Sequence, residues 1–172
     1  SLTIGSPGDE AVLALPGCST DGDRTFIWGT HYATYGDRIR FAKALITFQV
    51  TVTVPLDAAL AVVALEVKNA GPEAIDLDLT AASDFSPDPK PAGFPFTVEA
   101  FARDGVVILT DVLGAAGDYF LASEPQWETG RELHTLLLKR AISLPPDATF
   151  ETHFLVGIQS NTSLVWLNEQ FG

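Results

Sequence analysis

The sequence predicts one all-β domain over residues 1–172, an antiparallel β-sandwich with few or no long helices. Three observations lead there. Several segments alternate apolar and polar residues with period two, turn-forming clusters recur at roughly ten-residue spacing, and no long amphipathic helical pattern is present. About seven to nine short strands are expected. A chain of 172 residues fits one domain better than two, and at that size a single core buries roughly 70% of the unfolded surface. With 47% hydrophobic and 19% charged residues, the composition rules out disorder as the main state.

The strands follow in order. From Arg38 onward Ile39, Phe41, Ile46, Phe48, Val50, Val52 and Val54 take one face, while Thr47, Gln49, Thr51 and Thr53 take the other, so residues 44–54 read as a half-buried strand. Pro55-Leu56-Asp57 ends it, because Pro cannot donate to the ladder. Residues 59–68 read as the next strand, Asn69-Ala70-Gly71-Pro72-Glu73 as a turn, and residues 74–80 as a return strand with Ile75, Leu77 and Leu79 inward. This is the clearest expected hairpin. Residues 83–95 carry four prolines and read as a loop. Residues 96–102 and 106–109 form a second hairpin about Arg103-Asp104-Gly105, since Asp-Gly accepts the positive φ of a tight turn. Residues 119–122 are a short strand, and 133–142, with Leu136-Leu137-Leu138, suit either a buried strand or a short helix. Leu144-Pro145-Pro146-Asp147-Ala148 turns the chain into a last alternating strand over 149–158.

Charge and targeting signals limit the function. Twenty-two acids against ten bases leave a formal charge of −12, and the bases are scattered, which argues against a nucleic-acid partner. Cys18 is the single cysteine, so no intramolecular disulfide forms and nothing signals an oxidising compartment. The longest apolar run, residues 58–65, has strand length and not the ~18 residues of a membrane span. The compartment is not fixed by these features; a soluble, cytoplasmic setting is slightly favoured. Residues 1–5 have neither a basic nor an apolar leader region. Methionine is absent even at the first position, which points to a processed product or an excised part of a longer chain. The apolar end, Trp166 to Phe171, suits packing against something further.

No catalytic constellation is expected. His31, His134 and His153 lie in no metal-ligand spacing, Asp21-Gly22-Asp23 with Asp37 lacks the other ligands of a calcium loop, and no metal or cofactor is predicted. Gly-x-Ser-x-Gly and the phosphate-binding glycine loops are missing, Cys18 has no recognisable histidine partner, and no spacing selects a pair among Glu124, Glu128 and Glu132. Asn161-Thr162-Ser163 is a glycosylation sequon that matters only in a secreted chain. Aromatic residues carry more: Phe26, Trp28, Tyr32 and Tyr35 crowd one segment, and Trp127 sits in an acidic stretch. Flat rings flanked by hydrogen-bonding groups serve sugar stacking as well as ordinary packing. The carbohydrate-contact candidates are Trp28, Tyr32, Tyr35 and Trp127.

Three tracts, His31-Tyr32-Ala33-Thr34-Tyr35-Gly36-Asp37-Arg38-Ile39, Ile46 to Asp57 with its Val54-Pro55-Leu56-Asp57 end, and Val62 to Asn69, together resemble a known family. They are similar to the N-terminal β-sandwich, or supersandwich, of glycoside phosphorylases of the cellobiose and chitobiose phosphorylase type and of cyclic β-glucan synthases. Leu144-Pro145-Pro146-Asp147-Ala148-Thr149 and Phe154-Leu155-Val156-Gly157 resemble the closing strand of those domains. One departure is plain: Ala58 replaces the second acid of the family's Leu-Asp-Asp. The catalytic acid of such enzymes lies in a following helical barrel, so no catalytic residue carries over to this chain. The resemblance implies an accessory sandwich that packs against a catalytic domain, shapes one wall of its site or supports a homo-oligomer. A free-standing carbohydrate-binding module and an Ig-like interaction module are the rival expectations. Exposed coplanar rings would favour the first rival, and a large exposed apolar patch the accessory role.

Overall fold

In the computed structural model, residues 1–7, 9–13, 25–41, 44–84, 98–103, 105–111, 118–132 and 135–159 are described. They form thirteen strands and no helix: β1 (Leu2–Ser6), β2 (Asp9–Leu13), β3 (Thr25–Trp28), β4 (Tyr32–Arg40), β5 (Leu45–Thr53), β6 (Leu60–Asn69), β7 (Ile75–Asp84), β8 (Val98–Arg103), β9 (Val106–Asp111), β10 (Asp118–Ala122), β11 (Glu128–Glu132), β12 (Thr135–Leu144) and β13 (Thr149–Gln159). One sheet has the order β11-β12-β7-β1-β2, the other β3-β4-β5-β6-β13-β10-β9-β8. All pairings are antiparallel. No helix among the described residues is long and apolar enough to cross a membrane.

The alternation of β5 is realised in the structure. Ile46, Phe48 and Val50 are buried and face Leu77, Leu79, Leu136 and Leu138 of the smaller sheet in one core. Burying such side chains contributes about 1.5–3 kcal/mol each, which makes this pattern the main determinant of which face turns inward. The β8–β9 hairpin also forms, with Arg103 opposite Val106 and Gly105 at φ 81°. A side chain at Gly105 would run into the carbonyl oxygen of Glu124, so the glycine serves both the turn and the close approach. Residues 133–142 resolve as strand β12, because Leu136 and Leu138 alternate into the core beside Ala81 of β7.

Three expectations need correction. The strand count is higher, since β1, β2, β3, most of β4 and β11 were not recognised. Residues 128–132, taken with the acidic stretch around Trp127, pair in register with β12. Most instructively, β6 and β7 are not a hairpin: β6 lies in the large sheet and β7 in the small one, so residues 70–74 cross between layers. Leu144 to Ala148 makes a second crossing, from β12 to β13.

Asn69 ties these two crossings together. Fully buried, its amide donates to the carbonyls of Glu73 at 2.7 Å, Leu144 at 3.0 Å and Pro145 at 3.2 Å, while its side-chain oxygen accepts from Gly71 N at 2.9 Å. Its backbone exchanges bonds with Ala148 and Asp147. Asp147 adopts φ 61° at the third position of the turn closed by Ala148 N to Pro145 O, a left-handed position that Asp tolerates better than most residues. One side chain thus satisfies the carbonyls that a chain changing layers would otherwise bury unpaired. The Pro-rich stretch 85–95, Cys18, Asp21 to Asp23, His134, the Asn161 sequon and Trp166 to Phe171 lie outside the described residues.

Candidate functional site

The large sheet extends past the small one at its β3–β4 edge. All four β3 residues are exposed: Phe26 is 52% and Trp28 71% accessible, and Ile27 lies near half exposure. Phe26 pairs with Tyr35 and Trp28 with Ala33, which puts both rings on the core-facing side of the sheet, beyond the cover of the smaller one. The rings of Phe26 and Trp28 sit 5.4 Å apart at 36°; Tyr35 follows, half-buried, with its ring 5.8 Å from Phe48 of the core. An aromatic row therefore runs from the exposed edge into the interior. Val54 and Leu56, just beyond β5, are exposed as well. Tyr32 pairs with Thr53 and lies on the opposite, outer face.

The four carbohydrate-contact candidates thus separate. Trp28 and Tyr32 are exposed on opposite faces, and Tyr35 is half-buried with its hydroxyl donating to Asp37 at 3.0 Å. Trp127 is a correction: it is 2% exposed, in edge-on contact with Phe154 at 4.9 Å, and presents no face to a ligand. Its neighbours Pro125, Gln126 and Glu128 are exposed, while the indole, in the turn ahead of β11 closed by Trp127 N to Glu124 O, packs into the core. Its indole N–H has no hydrogen-bond partner among the described residues, which costs stability without marking a site.

Beside Trp127 lies a partly exposed polar cluster. Glu124 accepts from Thr152 at 2.8 Å and from Ser123 at 3.4 Å, and lies 3.9 Å from Arg140, whose guanidinium covers Phe150 at 5.0 Å. These groups satisfy one another and read as an internal brace between β12 and β13. A cavity of about 320 Å³ between the sheets is walled by Val50, Ala61, Val63, Ala81 and Val156. Leu2, Leu121 and Phe154 line it as well, and it opens to the surface beside Ser1.

The face of the large sheet turned away from the smaller sheet carries a second buried cluster, Val106, Ile108, Phe120, Ala122 and Leu155, and beside it a shallow groove of about 150 Å³ lined by Gln49, Thr51, Ala64, Glu66, Glu151 and His153. Sequence reasoning had noted His153 only as an isolated histidine and had not connected it with the other groove residues. Cross-strand register is the missing signal, since it aligns Gln49, Glu66 and Glu151 in one row and Thr51, Ala64 and His153 in the next. His31 sits in the β3–β4 turn, with β4, β5 and β6 between it and His153. Among the described residues no group of three or more His, Cys, Asp or Glu is placed to hold a metal.

No family model matches the chain, and no curated protein does. Solved structures do. One described as "Putative kojibiose phosphorylase from human microbiome" superposes with a TM-score of 0.62 at 10% identity, over 98% of this chain and 23% of that one. A galactose mutarotase related enzyme from Lactobacillus acidophilus gives a TM-score of 0.48 at 9% identity, covering 82% and 72%. The GH36 α-galactosidase AgaA of Geobacillus stearothermophilus gives 0.44 at 12% identity, covering 92% and 30%. The chain spans about a quarter of the length of the first of these, and shares its β-sandwich fold over that quarter.

Proposed function

We propose that this chain serves as an accessory β-sandwich in a carbohydrate-active protein, non-catalytic by itself, with the β3–β4 overhang as its docking surface for a catalytic domain. The observation that carries this reading is the exposed apolar edge of Phe26, Trp28, Val54 and Leu56, continuous through Tyr35 with the core, with Ile27 exposed on the opposite face of the same strand. Contiguous apolar surface of this kind marks an interaction site, and among the described residues no strand pairs the far side of β3, which carries no Lys or Pro. The fold likeness to a quarter of a phosphorylase-sized chain supports it. A free-standing sugar-binding module is favoured less, because the exposed Phe26 and Trp28 rings are tilted by 36° and Tyr32 lies on the other face.

The test is a double variant, Phe26→Ser with Trp28→Ser, made in the complete product of the gene and in this chain alone. The reading expects the complete product to lose carbohydrate turnover or domain association while the melting temperature of the isolated sandwich stays unchanged. Full activity and association in the double variant would overturn it, as would a gene that encodes this sandwich and nothing else.

A further inference from the structure

We infer that the partner domain docks by adding a β-strand to β3, so that the large sheet continues from this chain into the catalytic domain; this rests on the docking reading above and names its mode. Four of the described strands lie at sheet edges: β2 and β11 of the small sheet, β3 and β8 of the large one. Three of them carry charged residues, which oppose pairing with a further strand. These are Asp9 and Glu10 in β2, Glu99 and Arg103 in β8, and Glu128, Arg131 and Glu132 in β11. β3 has none, and the sequence from Thr25 to Gly36 contains no Asp, Glu, Lys or Arg. One edge of the four is left without the device that guards the others.

The side chains and backbone of β3 both suit an inserted neighbour. Phe26 and Trp28 lie on the core-facing side and Ile27 on the other, each more than half exposed. A strand that is apolar on both faces has the pattern of one inside a sheet, whereas a solvated edge alternates with polar residues. The bond from Gly29 N to Tyr32 O makes Gly29–Tyr32 a hydrogen-bonded pair. The register then directs the backbone groups of Thr25 and Ile27 to β4 and turns the N–H and C=O of Phe26 and Trp28 away from it. A strand laid along this edge meets two donors and two acceptors at the spacing an antiparallel or parallel ladder requires.

The size of the edge selects the partner. Four strand residues with Val54 and Leu56 beside them fall far short of the roughly 20–30 residues a side that hold separate proteins together, so the edge is too small to join two free copies of this chain. A segment tethered in the same polypeptide meets β3 at high effective concentration and needs fewer contacts. Its chemistry follows from β3: an extended, uncharged run with apolar residues on both faces.

The test compares Trp28→Ala with Trp28→Pro, in the complete product of the gene and in this chain alone, by hydrogen exchange at the Phe26 amide. Both variants lose the ring. Only the proline also loses the outward N–H, and it leaves the bonds of Thr25 and Ile27 to β4 in place. In the unsubstituted complete product the Phe26 and Trp28 amides should exchange as slowly as that of Ile27, while in the isolated chain they exchange fast. In the complete product the proline variant should lower protection of the Phe26 amide about tenfold beyond the alanine variant, as the loss of one hydrogen bond predicts. The unsubstituted comparison stands even if the proline variant fails to fold. Equal protection in the two variants, a Phe26 amide that stays fast in the complete product, or one already slow in the isolated chain would each overturn strand addition. The Phe26→Ser, Trp28→Ser variant keeps both N–H groups and reads docking itself. If it loses association while the alanine and proline variants match, docking stands and only its mode falls; if it keeps association, docking falls as well.

Discussion

Trp28 and Trp127 show how differently one residue type is used at two places in the same sandwich. Trp127 is 2% exposed and meets Phe154 edge to face at 4.9 Å; Trp28 is 71% exposed and touches Phe26 on a strand with no described strand beyond it. The first lies where two sheets overlap, the second where one sheet outruns the other. Position relative to the partner sheet, and not aromatic content or flanking charge, decides which ring is core and which is surface. The same contrast separates the Asn69 corner, where one side chain makes four hydrogen bonds, from the β3 edge, where no described strand pairs the outer backbone groups.

The sharpest way to break this contrast lies at the corner. Asn69→Ala removes four hydrogen bonds and leaves the buried carbonyl of Leu144 and the N–H of Gly71 without their partner. It is expected to cost roughly 4–5 kcal/mol, read by urea unfolding, with failure to fold as the extreme case. A loss below about 1 kcal/mol would mean that the corner does not hold the two layers together. Trp127→Ala should cost about 3–5 kcal/mol by the same measurement. Trp127→Phe should cost much less, because it keeps a ring against Phe154 and discards an indole N–H that has no partner.

Smaller effects are expected on the exposed surfaces. Glu66→Gln alone should raise stability by about 0.2–1 kcal/mol, because it removes a like-charge pair across β6 and β13. The gain should shrink as salt is added, which differential scanning calorimetry at two ionic strengths can follow. Trp28→Ala should change the stability of the chain by no more than about 0.5 kcal/mol, since an exposed edge ring has little to lose. A larger loss would place Trp28 in the core's stabilising set and remove it from the docking surface.

Much of the fold was legible in the residues. The Thr-alternated run of β5 named its buried face correctly, Asp104-Gly105 marked the β8–β9 turn, and the strand after Leu144-Pro145-Pro146 emerged as expected. The β6–β7 connection did not, because Asn69 to Glu73 has the composition of a hairpin turn and also of a crossing between layers. What separates the two is a contact 75 residues away, Asn69 to Leu144 O, and periodicity carries no such information. β11 was missed because Glu128-Thr129-Gly130-Arg131-Glu132 has no apolar alternation; its pairing with β12 alone makes it a strand. The candidate site was legible in part. Trp28 and Tyr32 are exposed and Trp127 is buried, which no flanking residue in the sequence foretold, and the Gln49, Glu66, Glu151 and His153 groove depends on register between strands far apart in the chain.

The central claim is that the β3–β4 overhang of this sandwich is covered by another domain in the working protein. Hydrogen exchange at residues 25–34 tests it most directly, measured in this chain alone and in the complete product of the gene. The account predicts fast exchange at the open backbone groups of Phe26 and Trp28 in the isolated chain and strong protection of the same amides in the complete product. The amides of β5 and β6 should exchange slowly in both. Equal, fast exchange of residues 25–34 in the two preparations would contradict it.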